Sequence, residues 1–149
     1  MNRISFSELD PVIRECIDSG AEVRLGITGS SMNPLVIDKR DSVVLKKADG
    51  LKRLDVPLYV RPNGQYVLHR IIKIRNGMFV LAGDAQTQIE TGITEKDCIA
   101  VAAGFYRNGR YIGCDCLKYR VYSRIWVLLR PVRKYLLQLY RILNRRREG

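Results

Sequence analysis

QYVLHRIIKIRNGMFVLAG, residues 65–83, sets the architecture of this chain. Two runs rich in β-branched and other apolar residues flank Asn76-Gly77. Asn-Gly is the strongest short hairpin signal, because both residues accept the positive φ that a tight turn requires. The stretch therefore predicts two antiparallel strands. Within QYVLHRIIKI the strand alternation places Tyr66, Leu68, Arg70 and Ile72 on one face, and Val67, His69, Ile71 and Lys73 on the other. His69 is the only histidine in the chain.

The same signature recurs on both sides. EVRLGI (22–27), SVVLKKA (42–48), VPLYVRP (56–62) and CIAVAAGFY (98–106) read as strands, and Asn63-Gly64 and Asn108-Gly109 fall between such runs. A mainly β domain over residues 21–115 follows, built as a twisted antiparallel sheet or partial barrel. Residues 1–20 form a helical opening: SFSELDPVIREC has Ser7 as an N-cap candidate, acidic residues in its first turn, and Val12, Ile13, Cys16 and Ile17 at helical spacing. Gly20 stops it. Residues 116–149 return to a helical period. After Pro131, Val132, Tyr135, Leu136, Leu139 and Leu143 share one face, opposite Lys134, Gln138, Arg141 and Arg145. Before it, Val121, Ile125, Leu128 and Leu129 lie opposite Arg120 and Arg124. Two amphipathic helices are expected, or one kinked at the proline.

Composition narrows the function classes. With 149 residues, 46% of them hydrophobic, the chain is long enough to bury a core and too apolar for disorder. Its longest uncharged run, Leu25 to Ile37, is broken by glycine and proline and falls short of the roughly 18 apolar residues of a bilayer span. Asp10, Glu15 and Asp18 interrupt the region where a signal peptide would have its apolar core, so a cytoplasmic protein, peripheral at most to a membrane, is expected. Cys16, Cys98, Cys114 and Cys116 show no CxxC spacing, and one histidine cannot complete a zinc site with them. Reduced packing cysteines are expected, with no metal and no cofactor. The net charge of +11 is concentrated in the tail, where ten Lys or Arg face only Glu148 from residue 117 onward. Such a tail suits an anionic membrane surface, where each basic residue adds roughly 1 kcal/mol. It suits equally a helical cap on one sheet face with a solvated arginine side. A nucleic-acid partner is not expected, since the basic residues lie in an apolar-striped helix and the sheet lacks an aromatic platform.

The chemistry is suggested by TGSSMNPLV, residues 28–36, which follows directly on a strand. A serine there sits where a strand runs into a turn, with backbone N–H groups free to meet a bound carbonyl. Gly29 permits close approach of a substrate chain, and Pro34 favours the turn. A serine hydroxyl must lose its proton as it attacks, so it needs a base within hydrogen-bond reach. His69 is the neutral-pH candidate.

Gly29, Ser31, Met32 and Pro34 after a strand, then His69-Arg70, then Gly83-Asp84, form three short boxes in order. Each is common alone, but the ordered set in this strand context resembles the signal peptidase I and LexA-like serine peptidase superfamily. The resemblance covers Val23 to about Arg107, more than half the chain. It is closest to the histidine-type signal peptidases of the endoplasmic reticulum, archaea and sporulating bacteria, because His69 stands where other branches carry a lysine. The resemblance implies a serine endopeptidase that cleaves a leader or precursor peptide, with Ser31 as nucleophile, His69 as base and the Ser31 N–H as oxyanion donor. Gly29, Ser30, Met32 and Pro34 would then line the substrate site. An acid near the third box would orient His69. Asp84 matches the family's Gly-Asp, while Glu90 stands where the family has an orienting aspartate, so both remain candidates. Gly29 replaces a hydroxyl that assists the oxyanion in some relatives. No counterpart is expected in these residues for the transmembrane anchor of signal peptidases or the helix-turn-helix domain of the repressors. The competing class is a non-catalytic module that grips peptide or membrane on the same fold; the presence of both Ser31 and His69 weighs against it.

Overall fold

Two of the three Asn-Gly pairs turn the chain tightly in a computed structural model, which describes residues 6–147. Asn76 (φ 49°) and Gly77 (φ 74°) join β5 (Arg70–Arg75) to β6 (Met78–Ala82), with Arg75 facing Met78. Asn108 (φ 50°) and Gly109 (φ 80°) join β8 (Cys98–Arg107) to β9 (Arg110–Gly113) in the same way. Positive φ at both central residues is the geometry that matches strand twist, and Asn-Gly supplies it without strain. Asn63-Gly64 behaves differently. It lies in a longer loop between β3 (Pro57–Val60) and β4 (Tyr66–Leu68), where the Asn63 side chain accepts the Gln65 N–H at 3.0 Å.

The fold is mainly β, with an N-terminal helix and C-terminal helices. The larger antiparallel sheet has the order β1-β2-β8-β3-β4, with β9 also on β8; β1 is Val23–Gly26 and β2 is Ser42–Lys46. A smaller sheet runs β5-β6-β7, where β7 is Glu90–Ile93. β7 carries little apolar signal of its own and has no counterpart among the strands read from sequence, while β9 is the strand that the Asn108-Gly109 turn implies. The larger sheet curls into a half-barrel, so that its two edge strands, β1 and β4, line a common cavity.

QYVLHRIIKI is not one strand. β4 ends at Leu68 in the large sheet, β5 begins at Arg70 in the small one, and His69 sits at the crossing. The expected alternation therefore fails there: His69, Arg70 and Ile71 are all buried in succession. A residue at a crossing between two sheets has protein on both sides, so the period-2 rule does not apply to it.

Helix α1 spans Phe6–Asp18, which places Ser7 inside the first turn and not at the N-cap. Ile13 and Ile17 enter the main core with Leu45, Leu58 and Phe105, whereas Val12 is exposed. Each fully buried aliphatic side chain there contributes about 1.5–3 kcal/mol. The tail forms α2 (Leu117–Leu128), a short 3-10 turn at Arg130–Val132 containing Pro131, and α3 (Arg133–Arg147). Tyr119 of α2 belongs to the main core.

Candidate active site

Ser31 lies in the turn after β1, reached through Gly29 at φ 85°, a conformation that glycine adopts without cost. Met32, Leu35 and Val36 are buried behind it and hold the turn against the core. Ser31 and His69 line one cavity of about 300 Å³. Gly29 and Met32 line it as well, while Ser30 and Pro34 do not. Leu25, Val43, Leu45 and Leu58 give this cavity an apolar floor, and Arg61 and Gln86 supply polar rim groups.

No direct hydrogen bond joins Ser31 to His69 among the described residues. Their proximity is set by Gly83. A Cβ built at Gly83 would stand 2.4 Å from the Ser31 carbonyl oxygen and 3.2 Å from His69 Nε2, so only glycine fits between them. The Ala85 N–H donates to that same Ser31 carbonyl at 2.9 Å, tying the Ser31 turn to the loop after β6.

The other ring nitrogen is held by a residue the sequence did not mark. Tyr59, on β3, approaches His69 Nδ1 at 3.2 Å through its hydroxyl, and that hydroxyl donates to Glu90 Oε2 at 2.6 Å. Its one proton being given to the carboxylate, the phenol oxygen can only accept from His69 Nδ1–H. The network thus assigns the tautomer with Nε2 unprotonated on the side of Gly83 and Ser31. Arg61 fixes the far end, donating Nε to Glu90 Oε1 at 2.9 Å and Nη2 to Oε2 at 2.9 Å. Burial pushes the Glu90 carboxyl upward, but hydrogen bonds from Arg61 and Tyr59 outweigh it and hold Glu90 below its usual range, ionised. Burial and the Glu90 charge keep Tyr59 protonated. His69 is only 4% exposed. Its burial first, and the Arg61 charge second, depress its pKa from 6.5 to about 4, so the ring is a neutral base at pH 7.

The two acids divided in sequence between possible roles occupy separate networks. Glu90 reaches His69 through Tyr59. Asp84 is fully buried and forms a two-pronged ion pair with the buried Arg70, with Nε–Oδ1 and Nη2–Oδ2 distances both 2.9 Å. The Tyr122 hydroxyl donates to Asp84 Oδ2 at 2.9 Å, and the Trp126 Nε1–H to the Asp84 carbonyl at 2.8 Å. Arg70 also donates to the hydroxyls of Tyr119 and Ser123. Its own burial opposes the charge, but Asp84 beside it prevails and holds the guanidinium protonated. Asp84 therefore ties the third box to α2, and His69 feels it only as a nearby charge.

Arg133 at the start of α3 completes the support. Buried to 1% exposure, it donates Nη1 to the Gln86 carbonyl at 3.1 Å and Nη2 to the Trp126 carbonyl at 3.0 Å; Arg130 donates to the Thr87 carbonyl at 3.0 Å. The segment from Gly83 to Thr87, which flanks His69 and the Ser31 turn, is thus clamped from the C-terminal helices. No family model, curated protein or solved structure matches the chain.

Proposed function

We propose that this chain is a serine endopeptidase that cleaves an extended leader or precursor peptide through Ser31 and His69. The observation that carries the reading is the fixed tautomer of a buried, neutral histidine whose free Nε2 faces the cavity it shares with Ser31. Ser31 Oγ attacks the scissile carbonyl carbon and its proton passes to His69 Nε2. The resulting oxyanion is met by the Ser31 backbone N–H, which donates to no group among the described residues. The C–N bond then breaks and His69 returns the proton to the leaving amine. Water, deprotonated by the same nitrogen, attacks the acyl ester; the acyl C–Oγ bond breaks, His69 Nε2 returns the proton to Ser31 Oγ, and the carboxylic acid leaves. Glu90, acting through Tyr59, stabilises the imidazolium that forms in both halves. The facing edges of β1 and β4 support an extended substrate. A peptide strand laid in the slot between them pairs its backbone with an open edge and drops side chains into the apolar floor.

The test is digestion of a diverse peptide library, read by mass spectrometry. Cleavage by the wild type and by Ser30→Ala, together with its loss in Ser31→Ala and His69→Ala variants that still fold, is the expected result. Cleavage that survives in Ser31→Ala refutes the assignment. Peptide capture without cleavage by the wild type would instead make the chain a binding module.

A further inference from the structure

The chemistry at Ser31 makes no use of the outward faces of α2 and α3. A helix packed on a sheet ordinarily turns its aliphatic residues inward. Here α2 turns Tyr119, Ser123 and Val127 inward, and α3 turns Arg133 and Leu137. The aliphatic stripe stays outside. Leu117 and Leu128 are 76% and 79% exposed, and Val121, Ile125, Tyr135 and Leu139 are about half exposed. Within α2 these positions follow at steps of four and three residues, and Tyr135 and Leu139 are four apart within α3, the spacing that keeps side chains on one face of each helix. Exposed cations run beside them, Lys118, Arg120 and Arg124 on α2 and Lys134, Arg141 and Arg145 on α3, and no Asp or Glu occurs from Leu117 to Arg147.

We propose that this face docks on an anionic membrane surface, with the stripe at the boundary of headgroups and acyl chains and the basic residues at the lipid phosphates. Charge selects this occupant. A second copy would bring one row of cations against another with no acid between them, which like-charge repulsion opposes. A nucleic acid would neutralise the cations but leave the aliphatic row in water. An anionic lipid surface satisfies both. No described helix is long and apolar enough to cross a bilayer, so the helices would lie in the plane of the surface. The inference is independent of the reaction at Ser31.

Full-length protein would be sedimented with vesicles of phosphatidylcholine alone or containing about a third phosphatidylglycerol. It should sediment with the anionic vesicles only, and less as salt rises, because the electrostatic part is screened. Ile125→Glu with Leu128→Glu should abolish binding. Arg141→Glu with Arg145→Glu should weaken it at least about tenfold, since each cation near the surface is worth roughly fivefold in partition. All four side chains are exposed, and unchanged circular dichroism and melting would confirm folding; should the glutamate pair misfold, the arginine pair decides. Absence of anionic-vesicle binding at low salt, equal binding to neutral vesicles, or self-association that Ile125→Glu/Leu128→Glu abolishes would each overturn the proposal.

Discussion

Acidifying the protein from pH 7.5 to 5.0 should remove about 2 kcal/mol of folding stability through His69 alone. The folded-state pKa of this imidazole is depressed to about 4 while the unfolded chain titrates near 6.5. Between those values the unfolded state binds the proton and the folded state does not, so stability is complete above pH 6.5 and is lost as pH falls toward 4. For one site with these two pKa values, linkage gives about 2 kcal/mol at pH 5.0 and about 3 kcal/mol once both states are protonated. The window is clean. Asp10, Asp41 and Glu90 also have lowered pKa values, but their contributions fade below the usual carboxylate range and hardly enter at pH 5. Because the chain has one histidine, no second imidazole contributes. Urea unfolding of the wild type and His69→Gln at both pH values isolates the effect: the wild type should lose about 2 kcal/mol more than the variant. Equal losses would refute the buried neutral base. The single imidazole should titrate near pH 4 by NMR, and the acidic limb of kcat/KM should follow it there.

Three further outcomes follow from the geometry. Tyr59→Phe disconnects His69 Nδ1 from Glu90 while leaving the Glu90–Arg61 pair, and should lower kcat about 10- to 100-fold with KM little changed; steady-state kinetics with an unchanged kcat would remove Tyr59 from the relay. Asp84→Asn leaves Arg70 buried without its counter-charge and should cost about 3–5 kcal/mol in urea unfolding, whereas Glu90→Gln should cost activity far more than stability. Gly83→Ala puts a Cβ against the Ser31 carbonyl, and should lower kcat/KM at least about a hundredfold in a protein that circular dichroism shows to be folded.

What the sequence revealed depended on whether the signal was local. Asn76-Gly77 and Asn108-Gly109 specify their turns by backbone preference alone, and both hairpins form where expected. The placing of Ser31 after β1 was legible for the same reason, whereas His69, expected within one continuous strand, lies at a crossing between two sheets. Tyr59 was not legible, since nothing about a tyrosine in VPLYVRP distinguishes a core ring from one that links two polar side chains; its contacts arise only when β3 and β7 bring it between His69 and Glu90. The burial of Arg70 was equally hidden, because alternation assumes one sheet and the chain changes sheets at His69. In the tail the helical period was read correctly, but the amphipathic rule alone could not say which side faces the domain. Aromatic, hydroxyl and guanidinium groups pair with Asp84, Arg70 and nearby carbonyls and take the inward side, leaving the aliphatic row outside.

The grip of Arg133 on the loop beside His69 limits how this protein can be re-engineered. An interchangeable tail could be trimmed at Pro131 and replaced by another segment with the cavity of Ser31 and His69 undisturbed. Here that cut removes the guanidinium that holds the Gln86 and Trp126 carbonyls, together with the buried Leu137. A graft that preserves this loop must therefore begin after Leu137, and any shorter fusion would inherit a slack loop next to His69.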